Sequence, residues 1–313
     1  MAKPASSEWK TYLYLLLFVL IGLAADRMPL NSIVGGAGAS LTFFDIFVHL
    51  PIMLLGLANG LLAIVIAKLL SIVVMGRPVD MLALLRLLPP MAAGAYFWAY
   101  KKQEDGGLAE GKRGWHAEGW RMLRLAPAGL PALMILLFVF HPAIFGTSAM
   151  FYALWWVIPI AAALARPELA DKIVRAVLGL LALGLTGVAV GWIVLPAGMP
   201  AALVGPAALL AWAVALAPIK FSARAYGTTF TQHALGSVMF LYTVPALQNP
   251  GVWLALIPVV ALERTLLGGG LFFTAAGVEA VLARMALLRR QLVGGTQPAQ
   301  GTQMPQRRKK GTA

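Results

Sequence analysis

The chain has 313 residues, 60% of them hydrophobic and only 12% charged, with a mean hydropathy of +0.81. Soluble domains are about 45–50% apolar and about 25% charged, so a soluble globular fold is excluded and an integral membrane protein is indicated. The net charge of +13 is carried by short stretches between apolar runs and by the C-terminal tail, a positive-inside pattern that argues against a nucleic-acid partner.

Apolar runs of span-like length and composition cover residues 11–26, 43–57, 60–76, 80–100, 126–145, 149–165, 173–195, 201–219, 228–247 and 252–283. They predict an all-α polytopic bundle of about ten spans, since helices satisfy every backbone group within lipid. No small-x-small site precedes Asp26, so the first span is expected to be retained rather than cleaved. Residues 28–40 carry Pro29, Gly35, Gly36 and Gly38 and read as an irregular loop. The turn Leu57-Ala58-Asn59-Gly60 divides 43–76 into two antiparallel runs. Pro89-Pro90 is expected to kink or break the fourth run by removing backbone donors.

Residues 101–124 form a solvated basic loop with an interfacial Trp115/Trp120 pair, and 166–172 a polar turn. Gly268-Gly269-Gly270 predicts a kink in the last run. With both termini cytoplasmic, 20 of the 25 basic residues fall inside, Lys220 and Arg224 among them. The organisation read from these features is a four-span region at 1–100, a cytoplasmic loop at 101–125, a six-span region at 126–292 and a disordered basic tail at 293–313. That tail is expected to meet anionic headgroups of the inner leaflet.

Ionisable residues inside apolar runs are the candidates for function, because a charge at the bilayer centre costs about 2.5–3.5 kcal/mol and needs protein or water around it. Asp45 and His49, at i and i+4, are expected on one helix face, either as a substrate- or proton-binding pair or as a mutually satisfied polar pair. Lys68 lies mid-run, and it reads either as a snorkelling lysine, though the middle of a run is a poor place for that, or as the partner of a buried carboxylate such as Asp45 or Glu263. Arg86, beside the double proline, either anchors an anionic ligand or bonds freed carbonyls. Glu263 and Arg264 are adjacent and diverge by about 100° on a helix, so each should seek a partner on a neighbouring helix. A further polar cluster gathers Thr228, Thr229, Thr231, Gln232 and His233, read either as a catalytic or ligand-binding helix start or as small and hydroxyl residues for helix packing.

No H-E-x-x-H, G-x-S-x-G or Walker A motif occurs, and there is no Cys. The four His residues are scattered, so neither a metal site nor a cofactor is expected.

The stretch SLTFFDIFVHLPIMLLGLANGLLAIVIAKLL, within residues 40–100, resembles the substrate-binding S components of energy-coupling factor (ECF) transporters. Thr42, Phe44, Asp45 and the Leu55–Gly60 turn carry the resemblance. It implies a micronutrient-binding membrane subunit whose first span meets a partner membrane subunit driven by ATPases; Gly22, Ala24 and Ala25 offer the small-residue face. S components have about six spans, whereas this chain has about ten runs. The second half, including TFTQHALGSVMFLYTV and WLALIPVVALER, is similar to multi-span prokaryotic membrane proteins of no assigned activity. The expectation is therefore a substrate-binding or transport subunit in a prokaryotic inner or plasma membrane. The alternatives are a structural membrane protein without ligand and an intramembrane enzyme acting on a lipid-linked substrate.

Overall fold

A computed structural model describes residues 8–32, 40–76, 78–105, 115–196, 200–218 and 221–294. Within them the chain is helical apart from one short ribbon. By length and composition four helices can cross a membrane: Leu50–Val74, Met81–Glu104, Pro167–Ala189 and Pro250–Leu288. Shorter apolar helices accompany them. Leu180, Leu183, Leu209 and Leu216 are all largely exposed, which water would penalise and a lipid belt accepts. The protein is a helical membrane protein.

Helix α1 covers Glu8–Asp26. Strands β1 (Pro29–Ser32) and β2 (Ser40–Thr42) then pair antiparallel, Ser32 opposite Ser40. The flanks of the expected irregular loop are thus ordered by backbone pairing, while its three glycines lie outside the described residues.

Helix α2 (Phe44–Phe47) is followed by α3 (Leu50–Val74). α3 breaks at Gly56, whose φ of 78° suits a residue without Cβ. A Cβ placed on Gly60 would stand 2.8 Å from the backbone of Ile52. In an unbroken helix residues eight apart are about 12 Å apart, so the limb before Gly56 folds back on the limb after it. The expected reversal exists, a residue earlier than the predicted turn. α1 packs along this hairpin, with Gly22 against Phe44 and Ala67.

The 80–100 run divides into α4 (Met81–Leu85) and α5 (Leu88–Glu104). Pro89 and Pro90 sit in the first turn of α5, where a missing N–H leaves no helical bond unmade. Helix α6 (Trp115–Val139) begins well before the expected residue 126 and shortens the basic loop; the side chains of Trp115 and Trp120 lie outside the described residues. A 3-10 segment (Ser148–Trp156) runs into α7 (Val157–Leu164). Helix α8 (Pro167–Ala189) starts within the expected polar turn, because Pro167 suits a first helical position. Its Asp171 is buried and accepts hydrogen bonds from the Ser222 N–H and hydroxyl at 2.8 and 2.5 Å.

Helix α9 covers Ala201–Leu216, α10 Ser222–Thr243 and α11 Pro250–Gly294. α10 packs against α5, α6, α7 and α8, and every residue from Ser222 to Gln232 is buried. The three-glycine stretch does not break α11. A Cβ would meet Tyr226 of α10 at 2.7 Å from Gly268, Leu210 of α9 at 2.4 Å from Gly269, and Ile46 of α2 at 2.8 Å from Gly270. The glycines are there for close approach on three sides. Two compact units divide within α11: Met1–Ala275 and Ala276–Ala313. Residues 295–313, most of the expected disordered tail, lie outside the described residues.

Candidate functional site

A cavity of about 570 Å³ lies within the first unit. One of its polar lining residues is Asp26, at the end of α1. The Lys68 ammonium of α3 stands 2.6 Å from Asp26 Oδ1, and the Thr42 hydroxyl donates to the same oxygen at 2.9 Å. The Ser71 hydroxyl donates to Oδ2. Lys68 Nζ also lies 4.1 Å from the centre of the Phe44 ring. Lys68 therefore has a buried partner, the second of its two readings, but the partner is Asp26 rather than Asp45 or Glu263. The α1–α3 packing brings together residues 42 positions apart, a relation that helix periodicity does not encode.

Asp45 is 7% exposed and bonded on both oxygens. Oδ2 accepts from the Thr42 backbone N–H at 3.3 Å, and Oδ1 from Gln232 Nε2 at 2.6 Å. This second bond joins the two polar clusters that sequence placed in separate halves of the chain. The i,i+4 relation to His49 fails. α2 ends at Phe47 and α3 begins at Leu50, with Pro51 favouring a new helix start. His49 is wholly buried away from the cavity, its Nε2 3.4 Å from the Thr274 hydroxyl and its ring 5.1 Å from that of Phe97.

Arg264 of α11 donates to the Thr229 carbonyl of α10 at 3.3 Å. Glu263 approaches the same guanidinium only to 3.8 Å. Divergence on the helix thus has the expected result for Arg264, which finds its nearer partner on a neighbouring helix. Arg264 Nε and Gln232 Oε1 have no hydrogen-bond partner among the described residues. The threonines of the α10 cluster serve the helix instead: Thr228, Thr229 and Thr231 hydroxyls donate to carbonyls three or four residues back.

His233 faces the cavity, and its Nε2 is 2.9 Å from the Tyr152 hydroxyl. The Ser237 hydroxyl is 3.5 Å from the same oxygen. Beside them Trp253 donates its indole N–H to the Leu247 carbonyl at 2.6 Å. Phe138 packs edge-on to Trp253 and Trp156 behind the wall. Arg86 lines the cavity with its guanidinium 6.0 Å from the centre of the Phe240 ring. Asp80, also at the wall, caps α4 by accepting from the Ala83 N–H at 2.7 Å.

No family model, curated protein or solved structure matches this chain. Geometry and chemistry alone carry the functional reading. Seven of the eight expected site residues line this cavity: Asp45, Lys68, Arg86, Gln232, His233, Glu263 and Arg264; His49 does not. Sequence reasoning missed Asp26, Tyr152, Ser237 and Trp253. Asp26 reads as a span terminator, and an aromatic residue in an apolar run carries no local sign of a cavity.

The wall carries four carboxylates (Asp26, Asp45, Asp80, Glu263) and three cations (Lys68, Arg86, Arg264). With the charges nearly balanced, the cavity suits a small neutral, zwitterionic or singly cationic solute better than a polyanion. Among the described residues no three His, Asp or Glu side chains gather closely enough to hold a metal ion.

Proposed function

We propose that this chain is a substrate-binding or transport subunit for a small micronutrient, of the kind that ECF S components represent. The observation that supports this reading is the convergence of polar side chains from α2, α3, α10 and α11 on one cavity of about 570 Å³, a size typical of small-molecule sites. Intramembrane ionisable groups that line a cavity mark substrate and ion paths. In this reading Asp45, Gln232 and Arg264 contact the solute, Tyr152 and Trp253 supply aromatic surface, and Asp26–Lys68 holds α1 against α3.

The topology belongs to the same proposal. The limb of α2–α3 before Gly56 dips into the membrane and returns, and the later helices alternate in direction, giving about ten membrane segments with both termini cytoplasmic. The basic residues of 101–124 then face the cytoplasm of a prokaryotic cell. ECF membrane and ATPase subunits are the proposed partners. Single-cysteine labelling in the Cys-free chain tests the orientation: a periplasmic label at the 101–124 loop would reject it.

The functional test is ligand-induced thermal stabilisation of the purified protein in detergent, screened with vitamins, metal ions and nucleobases. At least one vitamin is expected to raise the melting temperature of the wild type and not of Asp45→Asn. No stabilisation by any probe would favour a structural protein without ligand.

A second reading, an intramembrane enzyme on a lipid-linked substrate, has one observation in its favour. Arg264 lines both the polar cavity and an apolar groove of about 320 Å³ bounded by residues of α7, α8 and α10. A polar head at Arg264 and an alkyl chain in the groove would fit that reading. Stabilisation by an isoprenyl phosphate but by no vitamin would favour it.

A further inference from the structure

The apolar groove of about 320 Å³ between α7 and α8 has a shape and a polar end of its own. Leu154, Val157 and Ile173 stand exposed at its rim, and Leu178, Tyr226 and Phe230 are buried at its floor. The hydroxyls of the floor are already satisfied. That of Tyr226 donates to the Thr265 carbonyl at 3.3 Å, and that of Thr265 to the Ala261 carbonyl at 2.7 Å. Arg264 is only 3% exposed, with Nη1 on the Thr229 carbonyl and Nη2 toward Glu263. A water held in the groove would need two to four polar partners. Two satisfied hydroxyls and an engaged guanidinium do not supply them, so hydrocarbon is the filling that fits.

Along α8 the lining runs from Ala170 to Leu181, about 16 Å at 1.5 Å per residue. One leaflet's share of the hydrocarbon core is about 15 Å. Spread over that length, the volume leaves a mean cross-section of about 20 Å², room for one extended chain. A helix about 10 Å across needs about 80 Å², so the helix of a second copy does not fit.

Both walls run into the turn Ala165-Arg166. The Ala165 N–H donates to the Ala161 carbonyl and the Ala170 N–H to the Arg166 carbonyl, each at 2.9 Å. Arg166 is exposed and meets no counter-charge among the described residues. Arg166, Ala170, Ile173 and Val177 follow one another by four, three and four residues, one stripe of α8. Glu168 lies about 200° round from Arg166. Leu178 is the middle residue of α8, a helix long and apolar enough to span. Arg166 stands about 18 Å from it along the axis, beyond the half-core of about 15 Å and in the layer of lipid headgroups.

We propose that this groove is a binding site for one acyl chain of a phospholipid from the leaflet on the Arg166 side, with the lipid phosphate at Arg166. The guanidinium offers charge-assisted hydrogen bonds to phosphate oxygens, and the chain covers the α7–α8 seam that the protein leaves open. The head is thus at Arg166 and not at Arg264, where the lipid-linked-substrate reading puts it. The site does not rest on the transport reading, since Arg264 is the one lining residue that it shares with the polar cavity.

The test is native mass spectrometry of the full-length chain, delipidated in detergent and titrated with phosphatidylglycerol. One lipid is expected to be retained at low lipid-to-protein ratio. Ala161→Trp and Val177→Trp, both at the exposed rim, fill the groove and are each expected to reduce that retention severalfold with the melting temperature unchanged. Arg166→Gln, on the surface, is also expected to reduce it severalfold. Equal retention by the wild type and both tryptophan variants would overturn the proposal, as would retention of no lipid. Retention unchanged in Arg166→Gln would remove the phosphate contact and with it the assigned ligand. Two results would overturn it in favour of another occupant. Retention of an isoprenyl phosphate in place of phosphatidylglycerol, lost in Arg264→Met but not in Arg166→Gln, gives the groove to a lipid-linked substrate. A dimer that the tryptophan variants dissociate gives it to a second copy.

Discussion

Gln232 of α10 donates a 2.6 Å hydrogen bond to Asp45 of α2, joining residues 187 positions apart at the wall of one cavity. The carboxylate accepts on both oxygens, and Gln232 keeps an acceptor oxygen that no described residue engages. This arrangement separates the roles of charge and of hydrogen bonding at position 45. In Asp45→Asn the new amide group would oppose the Gln232 amide, but rotation of Gln232 restores an N–H to O bond. The expected loss of stability is about 1 kcal/mol. Asp45→Leu leaves two buried donors unpaired, and about 1–3 kcal/mol for each is expected. Thermal unfolding in detergent measures both, and equal effects of Asn and Leu would show that hydrogen bonding does not hold this contact. Under the proposed function, Asp45→Asn loses ligand binding while remaining folded.

A second prediction concerns the Asp26–Lys68 pair in the cavity wall. Asp26 accepts from Lys68, Thr42 and Ser71 and is only 6% exposed. Asp26→Asn leaves a largely buried ammonium without its counter-charge, a change expected to destabilise by about 3–5 kcal/mol. Lys68→Met alone strands the carboxylate, though Thr42 and Ser71 still donate to it. The double variant Asp26→Asn/Lys68→Met should recover much of the loss, whereas Asp45→Asn/Lys68→Met should be close to additive. The reverse pattern would mean that Lys68 belongs to Asp45.

The glycines of α11 give a third. Gly269→Ala drives a methyl to within 2.4 Å of Leu210, and Gly268→Ala to within 2.7 Å of the Tyr226 ring. Overpacking of this kind is expected to destabilise by about 1–3 kcal/mol. The helix-propensity gain of about 1 kcal/mol offsets part of that. Gly179 and Gly184 of α8 have open space at their Cβ positions. Alanine at either is expected to stabilise by about 0.5–1 kcal/mol. Melting temperatures that rise equally at all four positions would mean α9, α10 and α11 pack more loosely than the contacts require.

These examples show what was legible in the sequence. Membrane class followed from composition, and the break before Pro89-Pro90 and the reversal in 43–76 from local backbone chemistry. Most of the polar wall was also legible, because a charge in an apolar run has few uses. Partners were not. Lys68 meets Asp26 and Asp45 meets Gln232 only through packing of helices distant in sequence, and helical periodicity carries no such information. Gly268–Gly270 shows the same gap in reverse: the local rule predicts a kink, and three neighbouring elements use the missing side chains instead. His49 was misplaced because i,i+4 presumes one continuous helix, which the start of α3 at Leu50 interrupts.

Arg224 supplies the last prediction. Counted in the sequence only as one of the basic residues on the cytoplasmic side, it lies in the first turn of α10 and is 1% exposed. Its guanidinium meets Glu104 of α5 at 3.1 Å and lies 4.7 and 4.3 Å from the ring centres of Phe97 and Phe221. Planar stacking and ion pairing together suit Arg and not Lys, whose compact, strongly hydrated ammonium lacks the flat face. Glu104→Ala removes a counter-charge from a buried cation and is expected to destabilise by about 3–5 kcal/mol. Arg224→Met retains the apolar stem and should lose less than Glu104→Ala, because the partly exposed Glu104 can turn toward water. Arg224→Lys should fall below Arg224→Met. If Lys is instead the milder replacement, charge alone holds Arg224 in place and the aromatic sandwich contributes nothing measurable.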